Sequence, residues 1–212
     1  DQKKVFEFIK NKKPDLVIIA AAKVGGIYHN SKHSADFIYE NLQIQNNLIY
    51  SSFKNKVKKI IFLGSSCIYP KNSRQPIKEK YLLNGKLEET NEPYAIAKIA
   101  GIKLSEALFE DYKLDIVCLM PTNVYGINDN FDKFNGHVIP AMISKFIQAK
   151  KNNSKYIKLL GSGKPLREFV HSNDLADAIM TCLKISKNRL KFVFKSSMPI
   201  INIGTGENIS IL

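Results

Sequence analysis

Short apolar runs rich in isoleucine, valine and leucine alternate along this chain with amphipathic stretches of helical length, and this alternation limits the possible folds more than any other feature. The apolar runs predict strands at residues 15–22 (DLVIIAAA), 59–64, 115–120 and 156–160. Apolar residues at three- and four-residue spacing predict helices at 35–54, 93–112 and 138–151. Strands that are apolar on both faces and joined by helical crossovers indicate a parallel sheet covered on both sides. We therefore expect an α/β fold with a doubly wound parallel sheet.

Size and cysteine content favour one compact unit in a reducing compartment. The 212 residues are 44% hydrophobic, which is enough for one sizeable core. No apolar run approaches the roughly 18 residues of a membrane helix, and the chain does not start with a signal-like apolar stretch. Cys67, Cys118 and Cys182 lack the spacing of a zinc site or a disulfide framework. We expect a soluble, cytoplasmic protein with reduced thiols, no bound metal and no membrane contact.

The formal net charge of +13 raises the question of nucleic-acid binding. Arginine, the usual reader of bases, occurs only at Arg74, Arg167 and Arg189, and the lysine runs lack the interleaved aromatic residues of a nucleic-acid surface. The lysines fall mostly where helices should meet solvent. We expect no nucleic-acid partner, whereas a small anionic substrate would suit the charge.

The ends of three predicted strands combine small and polar residues. They are 20–26 (AAAKVGG), 64–67 (GSSC) and 121–126 (PTNVYG). Such residues are ordinary turn formers, but ligands of open parallel sheets bind outside the carboxyl ends of the strands. Three such ends at one edge predict a ligand site there.

Tyr94 and Lys98 lie one turn apart at the start of a predicted helix. A nearby cation favours a phenolate, so this pair could supply a general acid or base near neutral pH. Tyr28/Lys32 and Tyr50/Lys54 have the same spacing, and spacing alone does not choose among the three pairs. Tyr94 follows a proline and lies among alanines and a glycine that would let the helix approach a ligand closely.

Ser65 at a strand end, followed by Tyr94 and Lys98, resembles the catalytic trio of the extended short-chain dehydrogenases/reductases, the NAD-dependent epimerase/dehydratase family. Several segments are more specifically similar to the GDP-L-fucose synthases: AAAKVGG, ADFIYEN, FLGSSCIYP, TNEPYAIAKIAGIKL, MPTNVYG, HVIPA and GSGKPLREFVH. The similarity covers most of residues 15–174. It implies NADPH-dependent 3,5-epimerisation and 4-keto reduction of GDP-4-keto-6-deoxy-D-mannose, with NADP(H) as cofactor, a GDP-sugar as substrate and a homodimer as the assembly.

The resemblance also implies catalytic roles. Cys67 would be the base and His137 the acid of the epimerisation, while Ser65 and Tyr94 would hydrogen-bond the C4 oxygen and Tyr94 would donate the proton of the reduction. Lys98 would bind the nicotinamide ribose and lower the pKa of Tyr94. Two simpler alternatives stay open: Cys67 as a small buried apolar residue, and His137 as a helix cap.

Further binding residues follow from the same resemblance. The NADP site would be lined by Ala20, Ala21, Ala22, Leu63, Gly64, Ser65, Ser66, Tyr94, Lys98, Pro121, Thr122, Asn123, Val124 and His137. The GDP-sugar would meet Ser65, Ser66, Cys67, Tyr94, Asn123, His137, Lys145 and Arg167. Arg167 has the forked donor that suits a diphosphate, with a surface ion pair as the alternative. Lys145 stands where the family would have arginine, and Leu160 where it can carry tryptophan.

The resemblance divides the chain into a partial NADP-binding Rossmann domain at 1–135 and a partial substrate-binding region at 136–212, interleaved with it. A dinucleotide domain typically begins with a strand, a glycine-rich turn and a ribose-reading residue, which this sequence lacks before its first predicted strand. We therefore expect a fragment that begins and ends within the two domains. NADP rather than NAD is implied by the resemblance alone.

Three other functions remain open. A 4-epimerase or 4,6-dehydratase of the same superfamily is the nearest, although dehydratases tend to place an Asp-Glu pair where this chain has Ser66 and Cys67. A non-catalytic homologue would tolerate loss of Ser65, Tyr94 or Lys98, and all three are present. A basic nucleic-acid-binding module is the third.

Overall fold

The computed structural model describes residues 1–26, 32–132, 136–159, 161–194 and 200–211. Its helices are α1 (Gln2–Lys12), α2 (Ser34–Lys54), α3 (Glu92–Tyr112), α4 (Val138–Lys151), α5 (Ser172–Lys184) and α6 (Lys187–Phe194). Its strands are β1 (Leu16–Ile19), β2 (Lys59–Leu63), β3 (Ile116–Pro121), β4 (Asn123–Tyr125), β5 (Leu166–Arg167), β6 (Phe169–His171), β7 (Ile200–Ile203) and β8 (Ile209–Ser210). Two 3₁₀ turns lie at Ser66–Ile68 and Glu79–Tyr81.

The central sheet has four parallel strands in the order β1, β2, β3, β7. Small additional sheets pair β4 with β6 in parallel and β5 with β8 antiparallel. The predicted α/β class with a parallel sheet is confirmed. Because β7 pairs with β3, the last part of the chain contributes a strand to the same sheet as its first part.

Side chains of the central strands alternate between two apolar clusters, one on each face. Ile60 and Phe62 of β2 pack on the face that also holds buried residues of α1, α2 and α3. Ile61 between them packs on the opposite face with Val117 and Leu119 of β3 and with residues of α5 and α6. Burial on both faces explains why these strands are continuously apolar in sequence.

The first predicted strand is shorter in the structure, and the last is wrong. Strand β1 stops at Ile19, which pairs with Phe62, and the alanines after it leave the sheet. Residues 156–159 form no strand, and the side chain of Tyr156 is 87% exposed. A strand needs a neighbouring strand to accept and donate its backbone hydrogen bonds, and an apolar run alone does not supply one. Leu160 and Tyr28 lie outside the described residues.

The long irregular segment between β2 and α3 is hydrogen-bonded to the sheet through Asn202 of β7. The hydroxyl of Tyr69 donates to Asn202 Oδ1 at 2.5 Å, and Asn202 Nδ2 donates to the carbonyl of Ile77 at 3.0 Å. The Asn202 backbone N–H donates to Glu79 Oε1 at 3.0 Å. These bonds hold residues 69–79 beside the carboxyl ends of the strands.

None of the three cysteines, all of them within the described ranges, forms a disulfide bond. No helix in the described part of the chain has both the length and the apolar character that crossing a membrane requires.

Candidate active site

The segment after β2 turns closely over the neighbouring strand. The Gly64 N–H donates to the carbonyl of Leu119 at 2.8 Å, and a Cβ at this position would overlap Met120 Sδ, so a larger residue would require the Met120 side chain to move. The 3₁₀ turn Ser66–Ile68 follows directly, and Ser65 Oγ caps it by accepting the Cys67 N–H at 3.3 Å. Ser65 and Cys67 are thereby held, partly exposed, at the carboxyl edge of the sheet.

Helix α3 brings Tyr94 and Lys98 to this edge. Pro93 in its first turn suits a helix start, because proline has no N–H to leave unpaired. Tyr94 lies near enough to Ser65 for the serine to act on the Tyr94 pKa, and Lys98 Nζ lies 5.9 Å from the centroid of the Tyr94 ring. Lys98 Nζ donates to the carbonyl of Leu63 at 2.8 Å. The structure therefore places Ser65, Tyr94 and Lys98 together.

Burial shifts the pKa values of both Tyr94 and Lys98. Burial raises the pKa of Tyr94, the negative charge of Cys67 raises it further, and the nearby Ser65 side chain opposes this. Burial lowers the pKa of Lys98 to about 8, since only 3% of this residue is exposed. Loss of hydration dominates the net shift of the Tyr94 pKa, and the role of Lys98 in lowering this pKa stays a prediction. Tyr94 is held as a neutral phenol, the form that can donate a proton.

Asn91 approaches the sulfur of Cys67, and the sequence analysis did not single it out. Its Nδ2 donates to Cys67 Sγ at 3.3 Å. Asn91 lies three residues before Tyr94, at the N-cap of α3, but its side chain makes no capping bond. An asparagine at a helix start is ordinarily interpreted as a cap. The sequence therefore gives no signal for a contact with Cys67, which lies 24 positions earlier in the chain.

His137 is at the N-cap of α4 and is exposed. Its backbone oxygen accepts from the Ala141 N–H at 3.0 Å, while its side chain makes no capping hydrogen bond. The alternative of a side-chain cap is therefore not observed, and the role of His137 as an acid stays a prediction.

Two other strand ends at this edge, after β1 and after β3, also carry predicted cofactor residues. Ala20 and Ala21 are exposed and Ala22 is partly buried. After β3, the Thr122 N–H donates to the carbonyl of Ile203 at 3.0 Å, whereas its Oγ1 is buried without a hydrogen-bond partner in the described structure. Asn123 Nδ2 donates to the carbonyl of Glu168 at 2.9 Å, which ties β4 to β6.

The predicted substrate cations lie on other elements. Arg167 of β5 is exposed, and its Nη1 donates to the carbonyl of Leu166 at 2.8 Å. The pKa of Glu88 is lowered chiefly by its hydrogen bond with Lys71, and Arg167 contributes to the same shift, which places its charge near this loop. Lys145 is half-buried in α4.

The sequence model of the NAD dependent epimerase/dehydratase family matches residues 1–204. The chain belongs to this family. Two of its curated members with high similarity are the putative GDP-L-fucose synthase 2 of Arabidopsis thaliana, 50% identical over 210 residues, and the GDP-L-fucose synthase of Escherichia coli K12, 46% identical over 211 residues. The matches cover 99% and 100% of this chain, which spans 61% and 66% of the length of these relatives.

A solved structure that is similar in sequence has the same fold. The GDP-mannoheptose C4 reductase of Campylobacter jejuni, with NADP bound, superposes with a TM-score of 0.85 and 38% identity. The comparison covers 100% of this chain and 68% of the reductase. The Rossmann-like doubly wound architecture is thereby confirmed.

Proposed function

We propose that the protein is a GDP-L-fucose synthase, which epimerises GDP-4-keto-6-deoxy-D-mannose at C3 and C5 and reduces its 4-keto group. The observation that carries the proposal is the cluster of Ser65, Cys67, Tyr94 and Lys98 at the carboxyl edge of the sheet. The curated relatives with this name, at 46 to 50% identity across the chain, support it.

Cys67 and Ser65 suit the epimerisation. The hydrogens at C3 and C5 flank the carbonyl, so a base can remove either one and leave an enolate. Cys67 takes the proton, and the electron pair of the broken C–H bond moves to the C4 oxygen, which Ser65 and Tyr94 stabilise by hydrogen bonds. His137 returns a proton to the opposite face of the carbon. The cysteine is then a reagent at a partly exposed position rather than a core residue.

Tyr94 and Lys98 suit the reduction. The raised pKa of Tyr94 keeps its proton available for the C4 oxygen. NADPH, when bound, supplies the hydride. Lys98 is a buried cation whose one acceptor among the described residues is Leu63 O, so ribose hydroxyls would give it further acceptors.

The residues of the edge fit a dinucleotide cofactor. Exposed alanines after β1 leave room for a flat ring system, and the unpartnered Oγ1 of Thr122 is a polar group that a ligand could satisfy. The reductase relative with NADP bound supports NADP(H) as the cofactor. The residues assigned to hold it are Ala20, Ala21, Ala22, Leu63, Gly64, Ser65, Ser66, Tyr94, Lys98, Pro121, Thr122, Asn123, Val124 and His137.

The GDP-sugar is assigned to Asn123, Lys145 and Arg167, beside the catalytic residues. The exposed Arg167 guanidinium can engage two oxygens of a diphosphate, and the net charge of +13 favours an anionic substrate. Residues 1–135 would form the cofactor part and residues 136–212 the substrate part.

A cytoplasmic homodimer is part of the same proposal. The absence of disulfides among Cys67, Cys118 and Cys182 suits a reducing compartment. Tyr39 and Tyr50 lie three turns apart on one face of α2 and are 64% and 45% exposed, an aromatic face that a second copy could cover. Sedimentation of the wild type and of a Tyr39→Lys/Tyr50→Lys variant tests this. A monomeric wild type would contradict it.

The deciding experiment uses protein expressed from its complete open reading frame. With NADPH and GDP-4-keto-6-deoxy-D-mannose in deuterated water, we expect NADPH oxidation together with deuterium at C3 and C5 of the product, measured by mass spectrometry and NMR. If the protein shows no NADPH oxidation and no deuterium exchange, the proposal is overturned.

A simple C4 reductase of a GDP-linked sugar is the second candidate, because the structure of the C4 reductase from Campylobacter jejuni superposes closely. NADPH oxidation without deuterium at C3 and C5 would favour it.

A further inference from the structure

The side chain of Asn91 is arranged in a way that its place at a helix start does not explain. An asparagine at an N-cap ordinarily uses its Oδ1 to accept an N–H of the first helical turn. Asn91 makes no such bond, and its Oδ1 is buried without a hydrogen-bond partner in the described structure. Its Nδ2 instead donates to Cys67 Sγ at 3.3 Å. The side chain therefore contacts the sulfur and not the helix end.

A side-chain N–H directed at sulfur distinguishes the two forms of a cysteine. A thiolate accepts this hydrogen bond strongly because the bond is charge-assisted, whereas a neutral thiol accepts it only weakly. The amide adds no charge of its own. Donation by Asn91 thus favours the thiolate over the thiol while leaving the charge of the site unchanged.

The other groups around Cys67 do not serve this purpose. From α3, the Tyr94 hydroxyl interacts unfavourably with a negative charge on Cys67 when both ionise. Lys98, one turn further along α3, directs its Nζ to Leu63 O. On the segment of Cys67 itself, Ser65 Oγ accepts the Cys67 backbone N–H and leaves the sulfur untouched. Asn91 is the side-chain N–H donor to this sulfur in the described part of the chain.

We infer that Asn91 is a positioning residue for Cys67: its amide holds Sγ at the edge of the site and stabilises the thiolate that removes the proton beside the 4-keto group. The inference rests on the proposed function for the proton abstraction, but the stabilisation of the thiolate is independent of any substrate. In the step, a C–H bond breaks, an S–H bond forms on Cys67, and the electron pair becomes the enolate.

Alkylation of Cys67 by iodoacetamide tests the inference without substrate or cofactor. Only the thiolate reacts, and the other two cysteines are buried, with 0% of Cys118 and 5% of Cys182 exposed. Asn91→Asp keeps the shape and is an equally good helix cap, but it replaces the N–H donor by a carboxylate. We expect alkylation at neutral pH to slow by roughly tenfold or more, and its pH profile to move to higher pH. Asn91→Ala, which removes the donor without adding charge, should slow it by roughly threefold to tenfold.

Asn84→Asp is the matched control, because Asn84 is an exposed asparagine whose Nδ2 donates to the carbonyl of Lys80. Cys67→Ser gives the background from the other thiols, and circular dichroism verifies that each variant is folded. A purely structural role predicts that Asn91→Asp is alkylated at the wild-type rate, and that result would overturn the inference. If the wild type shows no epimerisation but Asn91→Asp still slows alkylation, the proposed function fails and the role of Asn91 at the thiolate stands.

Discussion

The ammonium group of Lys98 donates a 2.8 Å hydrogen bond to the carbonyl oxygen of Leu63, the last residue of β2. This bond joins the helix that carries Tyr94 to the strand end that leads into Ser65 and Cys67. Lys98 Nζ also lies 4.9 Å from the centroid of the Phe62 ring. The Lys98 ammonium group is thus buried against the sheet. It loses its hydration there, and its hydrogen bond holds α3 against the end of β2.

Replacing Lys98 by methionine should change how stability depends on pH. The pKa of Lys98 is about 8 in the folded protein, below the value of 10.5 that it has in the unfolded chain, because burial disfavours the charge. Between these pH values the unfolded chain binds more protons at Lys98, so the wild type gains stability as pH rises. Relative to Lys98→Met, we expect a gain of roughly 3 kcal/mol between about pH 7 and pH 11, measured by urea unfolding.

The control for this prediction is Lys103→Met, an exposed lysine of the same helix. Comparison of each variant with the wild type cancels the titration of other groups. A constant difference between wild type and Lys98→Met across this pH range would show that Lys98 keeps its proton in the folded protein.

Tyr94→Phe should abolish reduction while leaving proton exchange. The variant loses the phenol that protonates the C4 oxygen, so we expect NADPH oxidation to fall by roughly 100-fold or more. Exchange at C3 and C5 depends on Cys67 and should persist at a reduced rate, because Ser65 alone then hydrogen-bonds the C4 oxygen of the enolate. Tyr50→Phe is the control, since Tyr50 also has a lysine four residues later but is exposed on α2. Equal losses in the two variants would remove Tyr94 from its assigned role.

Much of the central fold could be predicted because burial on both faces leaves a strong signal. Strands β2 and β3 and helices α2, α3 and α4 were expected within a few residues of their observed bounds. Helix α5 was not predicted, and its start is capped in an uncommon way, by His171 Nδ1 accepting the Asn173 N–H at 3.2 Å. Strands β5 and β8 are two residues long, too short to show a period.

The site could be predicted only in part. Ser65, Tyr94 and Lys98 were expected together because they resemble the catalytic trio of the extended short-chain dehydrogenases/reductases. The direction of the Tyr94 pKa depends on how much protein covers the phenol, which no spacing in the sequence records. The bond from Asn91 to Cys67 depends on a side-chain direction that is set by tertiary packing.

Cys67→Ser should slow deuterium exchange at C3 and C5 without weakening the binding of NADPH. A serine hydroxyl is a much weaker base than a thiolate, so deuterium incorporation at C3 and C5 should become far slower. The backbone of the 3₁₀ turn and its cap by Ser65 are kept, and we expect the dissociation constant for NADPH to stay within about twofold. Incorporation at the wild-type rate would exclude Cys67 as the base.

Arg167→Lys should weaken binding of the GDP-sugar. Lysine keeps the charge but loses the two parallel donors, so the cost should be roughly 1 to 3 kcal/mol by calorimetry. Arg189→Lys makes the same exchange at an exposed position of α6. An unchanged dissociation constant for Arg167→Lys would assign Arg167 to a surface role near Glu88.

Gly101→Ala should destabilise the protein although alanine is the better helix former. A Cβ at Gly101 would lie 2.8 Å from Gln45 Cδ and 2.8 Å from Phe62 Cζ, closer than side chains pack. Gln45 is fully buried in α2 and donates to the carbonyl of Ala97, so it has little room to move. Overpacking of this kind costs about 1 to 3 kcal/mol, against a gain of about 1 kcal/mol in helix propensity.

Ala107→Gly measures the propensity term separately, because Ala107 is exposed on the same helix. Urea unfolding should show Gly101→Ala to be less stable than the wild type. The free energy of unfolding of Ala107→Gly should be about 1 kcal/mol lower than that of the wild type. Since Phe62 lies beneath Lys98, displacement of its ring should also reduce reduction activity. A Gly101→Ala protein as stable as the wild type would mean that α2 and α3 can separate without loss, and that their close approach does not hold the site in place.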